Sequence, residues 1–238
     1  MRPRAVIRRE LKRRSDPQRA TLVQRFFKTA PGEYGAGDRF YGLTVPAVRA
    51  VAATHASIPL REIEALLQSP WHEERLLALI VLVGQYERGG AAERQAIYRL
   101  YRRNTVRINN WDLVDCSAAQ IVGAHLQRRD RGVLRRMARS SLLWERRIAI
   151  IATFYYIRRG DLDETLRIAR LLLDDDEDLI HKAVGWMLRE VGKQDRTAEE
   201  RFLRAYAYRM PRTMLRYAVE RFPERVRRRY LTAAGPMK

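Results

Sequence analysis

The sequence predicts an all-α fold, and three observations support this prediction. Apolar residues recur at helical spacing along almost the whole chain. No stretch alternates convincingly between apolar and polar residues, as a half-buried strand would. Strongly apolar helical segments recur about every 36 residues, with one shorter and more polar segment between each pair. These features are typical of a chain built from repeated pairs of helices.

Helix start and stop signals divide the chain into about a dozen elements. Proline stands at or near the predicted start of several helices, as at Pro17, Pro46, Pro59 and Pro70, and Gly89-Gly90 breaks the chain between two others. A glycine-rich stretch predicts a loop over residues 29–43. We predict helices over residues 4–14, 17–28, 45–55, 59–68, 70–83, 91–104, 110–127, 130–139, 143–159, 163–173, 177–192, 197–208, 211–221 and 223–232.

The repeat is clearest in the phase of four residues near the starts of successive apolar helices. Arg75, Trp111, Arg147 and Lys182 are separated by 36, 36 and 35 residues. This period favours a HEAT-like α-solenoid of paired antiparallel helices with a basic concave groove. An irregular helical bundle could imitate the period over three steps, and it remains the alternative.

Short connections predict one domain over residues 1–238. Within it we expect a basic N-terminal helix over residues 1–14 and a short flexible tail over residues 233–238. The longest apolar runs are far too short to span a bilayer, and the N-terminus lacks an apolar stretch of signal-peptide length. We therefore expect a cytoplasmic protein without a membrane partner.

The charge balance points to a polyanionic partner. The chain has 47 basic and 28 acidic residues, for a net charge of +19. Only five of the basic residues are lysine, and arginine is the side chain suited to bidentate phosphate contacts. Nucleic acid is the commonest partner of such a protein. A GC-rich genome, which encodes arginine freely, is the alternative explanation.

Cysteine usage limits the chemistry that the chain can perform. Cys116 is the only cysteine, so the sequence excludes an intramolecular disulfide and a cysteine-based zinc site.

Between residues 161 and 178 acidic residues cluster, and we expect this segment to face away from DNA. A metal site at residues 174–178 is possible there, but capping of the next helix is the simpler interpretation.

The candidate site combines two tryptophans, a carboxylate and several cations. Trp111 and Asp115 are four residues apart and therefore share one helix face, and Lys182 and Trp186 have the same spacing. In a solenoid, residues of equal phase become neighbours. The prediction is that Trp111 and Asp115 lie beside Arg147, and that Arg147 lies near Lys182 and Trp186.

Further arginines would extend this patch into a strip that matches a phosphate backbone. The candidate DNA-binding residues are Arg75, Lys182, Arg189, Arg212 and Arg216. A carboxylate in the middle of a DNA-binding groove opposes affinity, so Asp115 requires either an ion-pair partner or a catalytic reason.

Cleavage of an N-glycosidic bond supplies a catalytic reason. An alkylated purine is already cationic and leaves without a general acid, while the sugar becomes oxocarbenium-like. A carboxylate stabilises that positive charge and orients or deprotonates the attacking water. Indole faces favour cations beside them, and arginine holds the adjacent phosphate.

Each candidate residue also has a structural interpretation. Trp111 and Trp186 would then be packing residues, and Asp115 would form an ion pair with Arg147 or Arg75. The other cations would be solvated surface charges. The residues alone leave these alternatives open.

Four segments resemble motifs of the AlkD-type DNA alkylation repair glycosylases. The resemblance covers roughly residues 15–232 and is most specific from Trp111 onward. In this sequence the four segments are residues 110–115 (NWDLVD), 144–150 (WERRIAI), 182–190 (KAVGWMLRE) and 212–218 (RTMLRYA).

The resemblance implies a HEAT-like solenoid that removes N3- and N7-alkylated purines from double-stranded DNA. By motif, the catalytic residues of the family correspond to Asp115, Trp111, Arg147 and Trp186. The resemblance also implies a monofunctional hydrolase without a metal, and we expect no cofactor and a monomer. An aromatic hydroxyl expected in the second helix is replaced here by Phe26 or Phe27.

Two further functions remain open. One is a catalytically silent HEAT-like module that binds branched or distorted DNA. The other is a HEAT-type scaffold for protein or RNA. The complete set of four residues favours the enzyme.

Overall fold

Two helices of 17 residues each carry an apolar sequence and organise the helices around them. The computed structural model describes residues 3–233, without the side chain of Ala233. The chain forms two compact units, Met1–Ile121 and Val122–Lys238. The described residues are helical and contain no β-strand, apart from one isolated bridge between Arg39 and Trp71. The predicted all-α class is therefore confirmed, while the solenoid, its groove and the single domain stay predictions.

The first unit is built around α5, the longest helix among its described residues. Leu76, Leu77, Leu79 and Leu82 of this helix are buried, and α5 packs against α1, α3, α4 and α6. The helices of this unit are α1 (Pro3–Arg13), α2 (Pro17–Phe26), α3 (Val45–Thr54), α4 (Leu60–Leu67), α5 (His72–Arg88), α6 (Ala91–Arg103), a 3₁₀ turn (Thr105–Arg107) and α7 (Trp111–Asp115).

The second unit is built around α13, which packs against α10, α12, α14 and α15. Its helices are α8 (Ala124–Leu126), α9 (Gly132–Met137), α10 (Leu143–Ala152), α11 (Phe154–Ile157), α12 (Asp163–Leu171), α13 (Asp178–Gln194), α14 (Arg196–Tyr206), α15 (Arg212–Ala218), a 3₁₀ turn (Val219–Arg221) and α16 (Glu224–Ala233). The boundary between the units falls inside a π-helical turn, Ala119–Gly123.

Two predicted long helices are interrupted, and a hydroxyl side chain accompanies each interruption. The helix predicted over 110–127 ends at Asp115, where the Ser117 hydroxyl donates to the Leu113 carbonyl at 2.6 Å. The helix predicted over 143–159 pauses at Thr153, whose hydroxyl donates to the Ile150 carbonyl at 2.6 Å. Such bonds occupy carbonyls of the preceding turn and bend helices. Ser117 and Thr153 are 36 residues apart, so the interruption has the period of the repeat.

The basic N-terminal helix is docked on the first unit. Ile7 and Leu11 are fully buried, and Arg8 donates to the Glu74 carboxylate at 2.9 Å. Arg4 lies 4.0 Å from Glu62. Part of the charge of this helix is therefore neutralised by ion pairs with the rest of its unit. Residues 1–2 and 234–238 lie outside the described residues, so the predicted tail is described only at the backbone of Ala233.

The acidic segment before α13 uses its carboxylates for ion pairs and backbone bonds. Asp175 accepts from Arg146 Nε at 2.6 Å and from the backbone N–H of Glu177 at 3.0 Å. Asp174 accepts from Arg209, near the end of α14. These contacts occupy the carboxylates within the protein, but among the described residues no side chain caps the first turn of α13, whose N-cap residue is Glu177, so the expected capping is not found.

In the part of the chain that the structure describes, no helix is long and apolar enough to cross a membrane.

A buried carboxylic acid lies between α13 and α14. Glu199 is 2% exposed, and a Cβ added at Gly192 would overlap its carboxyl group, so glycine leaves the space that this group occupies. Its Oε1 has no hydrogen-bond partner among the described residues. Burial raises the pKa of Glu199 to about 8, although Arg196 acts in the opposite direction.

We predict that Glu199→Gln makes the stability of the protein less sensitive to alkaline pH. A carboxyl group with a raised pKa contributes stability that is present below pH 4.5 and is lost as the pH rises through about 8. The loss amounts to at most roughly 5 kcal/mol. The melting temperature of the variant relative to wild type should therefore rise between pH 5 and pH 9, as measured by circular dichroism. Glu87→Gln, which removes an exposed carboxylate of α5, should show no such rise, and a constant difference for Glu199→Gln would contradict the prediction.

Candidate functional site

Four consecutive charged residues open α5, and all of them are buried. His72, Glu73, Glu74 and Arg75 are each at most 2% exposed. Consecutive residues point to all sides of a helix, and α5 is surrounded by other helices of its unit. Each charged group must therefore find a partner inside the protein.

The two glutamates fix the loop that precedes α3. Glu73 accepts backbone N–H bonds from Tyr41, Gly42 and Leu43 at 3.0, 2.8 and 3.1 Å. Glu74 accepts from the Tyr41 hydroxyl at 2.8 Å. Five donor–acceptor bonds to α5, including that from Arg8, thus hold this loop and α1 in place.

The histidine and the arginine join two aspartates into one chain of charges. His72 Nδ1 lies 3.3 Å from Asp38 Oδ2, and His72 Nε2 lies 2.8 Å from Asp112 Oδ2 in α7. Arg75 donates to the same Asp38 oxygen at 2.6 Å. Burial alone would lower the pKa of His72, but Asp112 and Asp38 outweigh it and raise the pKa to about 9. The imidazolium therefore links α5 to α7 at neutral pH.

The expectation that Arg75 contacts DNA does not fit this geometry. Arg75 is 1% exposed, and it donates to Asp38 and, at 2.9 Å, to the carbonyl of Ser69. The guanidinium is enclosed and already paired, so we remove Arg75 from the candidate DNA-binding residues. Arg75 does lie near the start of its helix, as the repeat predicts, but its side chain faces the protein interior.

Trp111 stands at the first position of α7, where local contacts orient it. Asn110 is the N-cap residue of α7, and its side chain accepts from the Trp111 backbone N–H at 2.9 Å. The Phe27 ring stacks on the indole with centroids 5.4 Å apart, and the Phe26 ring meets it edge-on at 5.9 Å. Trp111 and Asp115 are both half-buried. The indole is thus held by Phe27 without being enclosed in the core.

Aromatic contacts connect Trp111 and Phe27 to His72 in the chain of charges. The His72 ring contacts the rings of both Phe27 and Phe40, at centroid distances of 4.9 and 4.7 Å, and these two rings stack on each other at 5.3 Å, so the three rings form a triangular cluster. Cations favour such faces. The position of Trp111 therefore depends on His72 twice, through the Asp112 bond and through the Phe27 ring.

In the second unit, Arg147 and Trp186 occupy different environments. Arg147 is 4% exposed and donates to the carbonyl of Leu179, so it fixes the first turn of α13 to α10. Trp186 is half-buried, and its indole N–H donates to Glu190 at 3.2 Å. The buried tryptophan of this motif region is Trp144, at 5% exposure. Trp144 is thus a core packing residue, and Trp186 is not.

The four remaining candidate cations differ in availability. Lys182 lies 2.7 Å from Asp178, whose pKa burial would raise but hydrogen bonds from Lys182 and Thr213 lower. Arg189 is paired with Glu220, and this pairing competes with a phosphate contact.

On α15, Arg212 is exposed and donates to the carbonyl of Leu231. Arg216 is exposed and has no side-chain partner among the described residues. Gly185 lets α13 approach α15, since a Cβ there would overlap the Met214 carbonyl. The strip on α13 and α15 is therefore built by close backbone packing, with Arg216 as its most available cation.

A family model described as DNA alkylation repair enzyme matches residues 7–222. The chain belongs to the DNA alkylation repair enzyme family. A solved structure titled as a predicted DNA alkylation repair enzyme from Enterococcus faecalis is similar in fold, with a TM-score of 0.68. The two chains are 19% identical, and the match covers 88% of this chain and 97% of that one. No curated protein matched the sequence. Membership of this repair family supports DNA as the substrate.

Sequence reasoning missed Asp38, His72 and Asp112 as residues that shape the site, whereas Phe27 was one of the two residues named at the position of the expected aromatic hydroxyl. One signal was present: four charged residues in a row precede the unbroken apolar run of residues 76–83. A helix that is apolar on every side is buried on every side, and so are the charges that open it. No local pattern indicated that Asp38, in a loop, would be their partner.

We predict that Asp112→Asn lowers the pKa of His72 by about one unit or more. The variant removes the carboxylate that favours the imidazolium, while burial continues to oppose it. The pKa is read from the imidazole proton resonances in an NMR titration between pH 5 and pH 10, assigned with a His72→Gln variant. Since the raised pKa stabilises the folded state below pH 6.5 and this contribution is lost through about pH 9, wild type should also lose stability over that interval.

Glu87→Gln serves as the control for this titration, because Glu87 is exposed on the same helix as His72. It should leave the pKa of His72 unchanged. An equal pKa in wild type and Asp112→Asn would show that the Asp112 bond does not hold the proton on His72.

Proposed function

We propose that this protein is a DNA glycosylase that excises cationic N3- or N7-alkylated purines from double-stranded DNA. The observation that carries the proposal is the pairing of Trp111 and Asp115 on one short helix, both half-buried and four residues apart. Membership of the DNA alkylation repair enzyme family and the net charge of +19 support a DNA substrate.

The proposed reaction is hydrolysis of the bond between the purine and C1′ of deoxyribose. As that bond breaks, its electron pair neutralises the positive charge of the alkylated ring, and the base leaves uncharged. Positive charge then develops on the sugar. The Asp115 carboxylate stabilises this charge and accepts a proton from the water that attacks C1′. The products are the free base and an abasic site in an intact strand.

The proposed role of the two tryptophans is to stabilise positive charge on the substrate. The face of Trp111 carries negative quadrupole density and favours the cationic sugar or base next to it. Its rear contact with Phe27 keeps the ring in one orientation, so less freedom is lost when the substrate binds. We propose the same electrostatic role for Trp186 on α13. Arg147 is enclosed and bonded to the Leu179 carbonyl, so its proposed role is to add positive charge near the phosphate of the lesion strand without contacting it.

The DNA backbone is bound, in this proposal, by Lys182, Arg189, Arg212 and Arg216. Lys182 and Arg189 exchange their intramolecular carboxylates for phosphates, and Arg216 binds without breaking an ion pair. Arg212 gives up only its bond to the Leu231 carbonyl, and Arg216 gives up no side-chain bond among the described residues, so Arg216 ranks first among the four. A catalytically silent module for distorted DNA would use the same cations but would not need Asp115.

We predict that Asp115→Asn reduces base release by about 100- to 1,000-fold. Asparagine has nearly the same shape as aspartate but neither the negative charge nor the basicity that the proposed step uses. Release of 7-methylguanine and 3-methyladenine from methylated duplex DNA is measured in single turnover at saturating enzyme. Affinity for the duplex should be retained or increased, because a negative charge has been removed.

The matched control is Asp163→Asn, which removes an exposed carboxylate at the start of α12. It should release bases at the wild-type rate. Normal release by Asp115→Asn would disprove the role of Asp115, and absence of release by wild type, with salt-sensitive duplex binding retained, would favour the binding module.

We predict that Arg216→Ala weakens duplex binding similarly for all sequences and reduces the slope of log affinity against log salt by about one. Arg170→Ala, which removes an exposed arginine of α12, should leave the slope unchanged. Fluorescence anisotropy with an unmodified duplex between 50 and 250 mM salt makes this comparison. Equal slopes for the two variants would exclude a phosphate contact by Arg216.

A further inference from the structure

A cavity of about 710 Å³ lies in the first unit, between α1, α2 and the loop that precedes α3. Its inner wall is aromatic and comprises Phe40, Tyr41 and Trp71. The rings of Tyr41 and Trp71 are stacked in parallel, 4.1 Å apart and 6° from coplanar. This volume is in the range of sites that bind small molecules. None of the residues used above for base excision lines the cavity.

One face of α2 forms the opposite wall. Pro17, Ala20, Thr21 and Gln24 line the cavity, at the spacing of a single helix face. No residue of α2 is buried. A helix of a folded unit normally packs one face against other side chains. Here that face borders an open volume instead, which leaves room for an occupant.

The start of α2 is nevertheless tied to the aromatic wall. The backbone N–H of Asp16 donates to the Tyr41 carbonyl at 2.8 Å. Gly42 has φ +84°, and a Cβ there would overlap the Asp16 carbonyl and crowd the backbone of Ala20. The loop and the helix thus meet at van der Waals distance at one end, and the cavity opens beyond this contact. Its two walls are held in place without the occupant.

Cations from α1 stand along the cavity. Arg8, Arg9 and Lys12 are exposed lining residues, and Arg8 uses its Nε to donate to Glu74. All residues that line the cavity lie within the described range 3–233, and none of them carries a carboxylate. An anionic group is therefore favoured at this side, and an aromatic ring is favoured at the inner wall.

We propose that this cavity binds a nucleotide, with the planar base against the aromatic wall and the phosphate among Arg8, Arg9 and Lys12. Base–aromatic stacking and arginine–phosphate pairing are the two contacts that single nucleotides make most readily with proteins. The nucleotide is either free in solution or an unpaired residue of a DNA strand. The site is separate from the base-excision residues and does not rest on the proposed function.

The test uses the full chain and 2′-deoxyadenosine 5′-monophosphate in isothermal titration calorimetry. Thr21→Trp fills the cavity from α2, whereas Gln18→Trp adds the same ring to an exposed position of α2 that does not line the cavity. We expect wild type and Gln18→Trp to bind equally, and Thr21→Trp to bind about tenfold more weakly or not at all. Lys12→Glu should weaken binding, while Arg13→Glu, outside the cavity on the same helix, should weaken it less.

Competition distinguishes the two sources of the nucleotide. A duplex with an unpaired 3′ overhang that displaces the bound nucleotide, when a blunt duplex does not, identifies a strand residue as the occupant. Displacement by neither duplex identifies the free nucleotide. The proposal is overturned if neither the nucleotide nor the overhang binds, or if Thr21→Trp, folded as judged by its melting curve, binds like Gln18→Trp. Neither result depends on alkylated DNA, so base excision is judged separately.

Discussion

The buried charges at the start of α5 are the constraint on which the first unit depends. Four charged groups in one helical turn, each at most 2% exposed, would be strongly destabilising without partners. Their partners are the loop before α3, the helix α1, and the aspartates Asp38 and Asp112. Removing one partner leaves a buried charge, and the cost of breaking such a pair typically reaches about 3–5 kcal/mol. The arrangement therefore determines where α7 begins, and with it where Trp111 and Asp115 are presented.

Several arginines of this very basic chain likewise have partners inside the protein. In the first unit, Arg75 pairs with the buried Asp38. Arg8 and Arg4 hold α1 in place through ion pairs with glutamates. In the second unit, Arg146 and Arg147 fix the segment that leads into α13. Much of the arginine content is thus structural, and the net charge of +19 overstates the number of guanidiniums available to DNA. Arg216, exposed and without a side-chain partner among the described residues, is the side chain best suited to a phosphate.

Local patterns in the sequence were sufficient for the helices but not for the burial of individual charges. Apolar periodicity and proline predicted elements such as α3 and α6 to within about one residue at each end, because these helices depend on a repeating face and local caps. The interruptions at Ser117 and Thr153 escaped prediction, since a hydroxyl bends a helix only if it bonds the preceding turn. Arg75 was misplaced because its partner Asp38 is 37 residues away in a loop. Phase along a helix identifies equivalent positions; it does not say whether they face solvent.

The central proposal is that Asp115 and Trp186 both stabilise the transition state of base release. A double-mutant cycle with Asp115→Asn, Trp186→Ala and their combination, scored by single-turnover release of 7-methylguanine, tests it most directly. Residues that stabilise one transition state together lose their effects non-additively. The account predicts that the double variant is about as slow as the slower single variant. Rate losses that multiply, or a Trp186→Ala variant that releases bases at the wild-type rate, would contradict it.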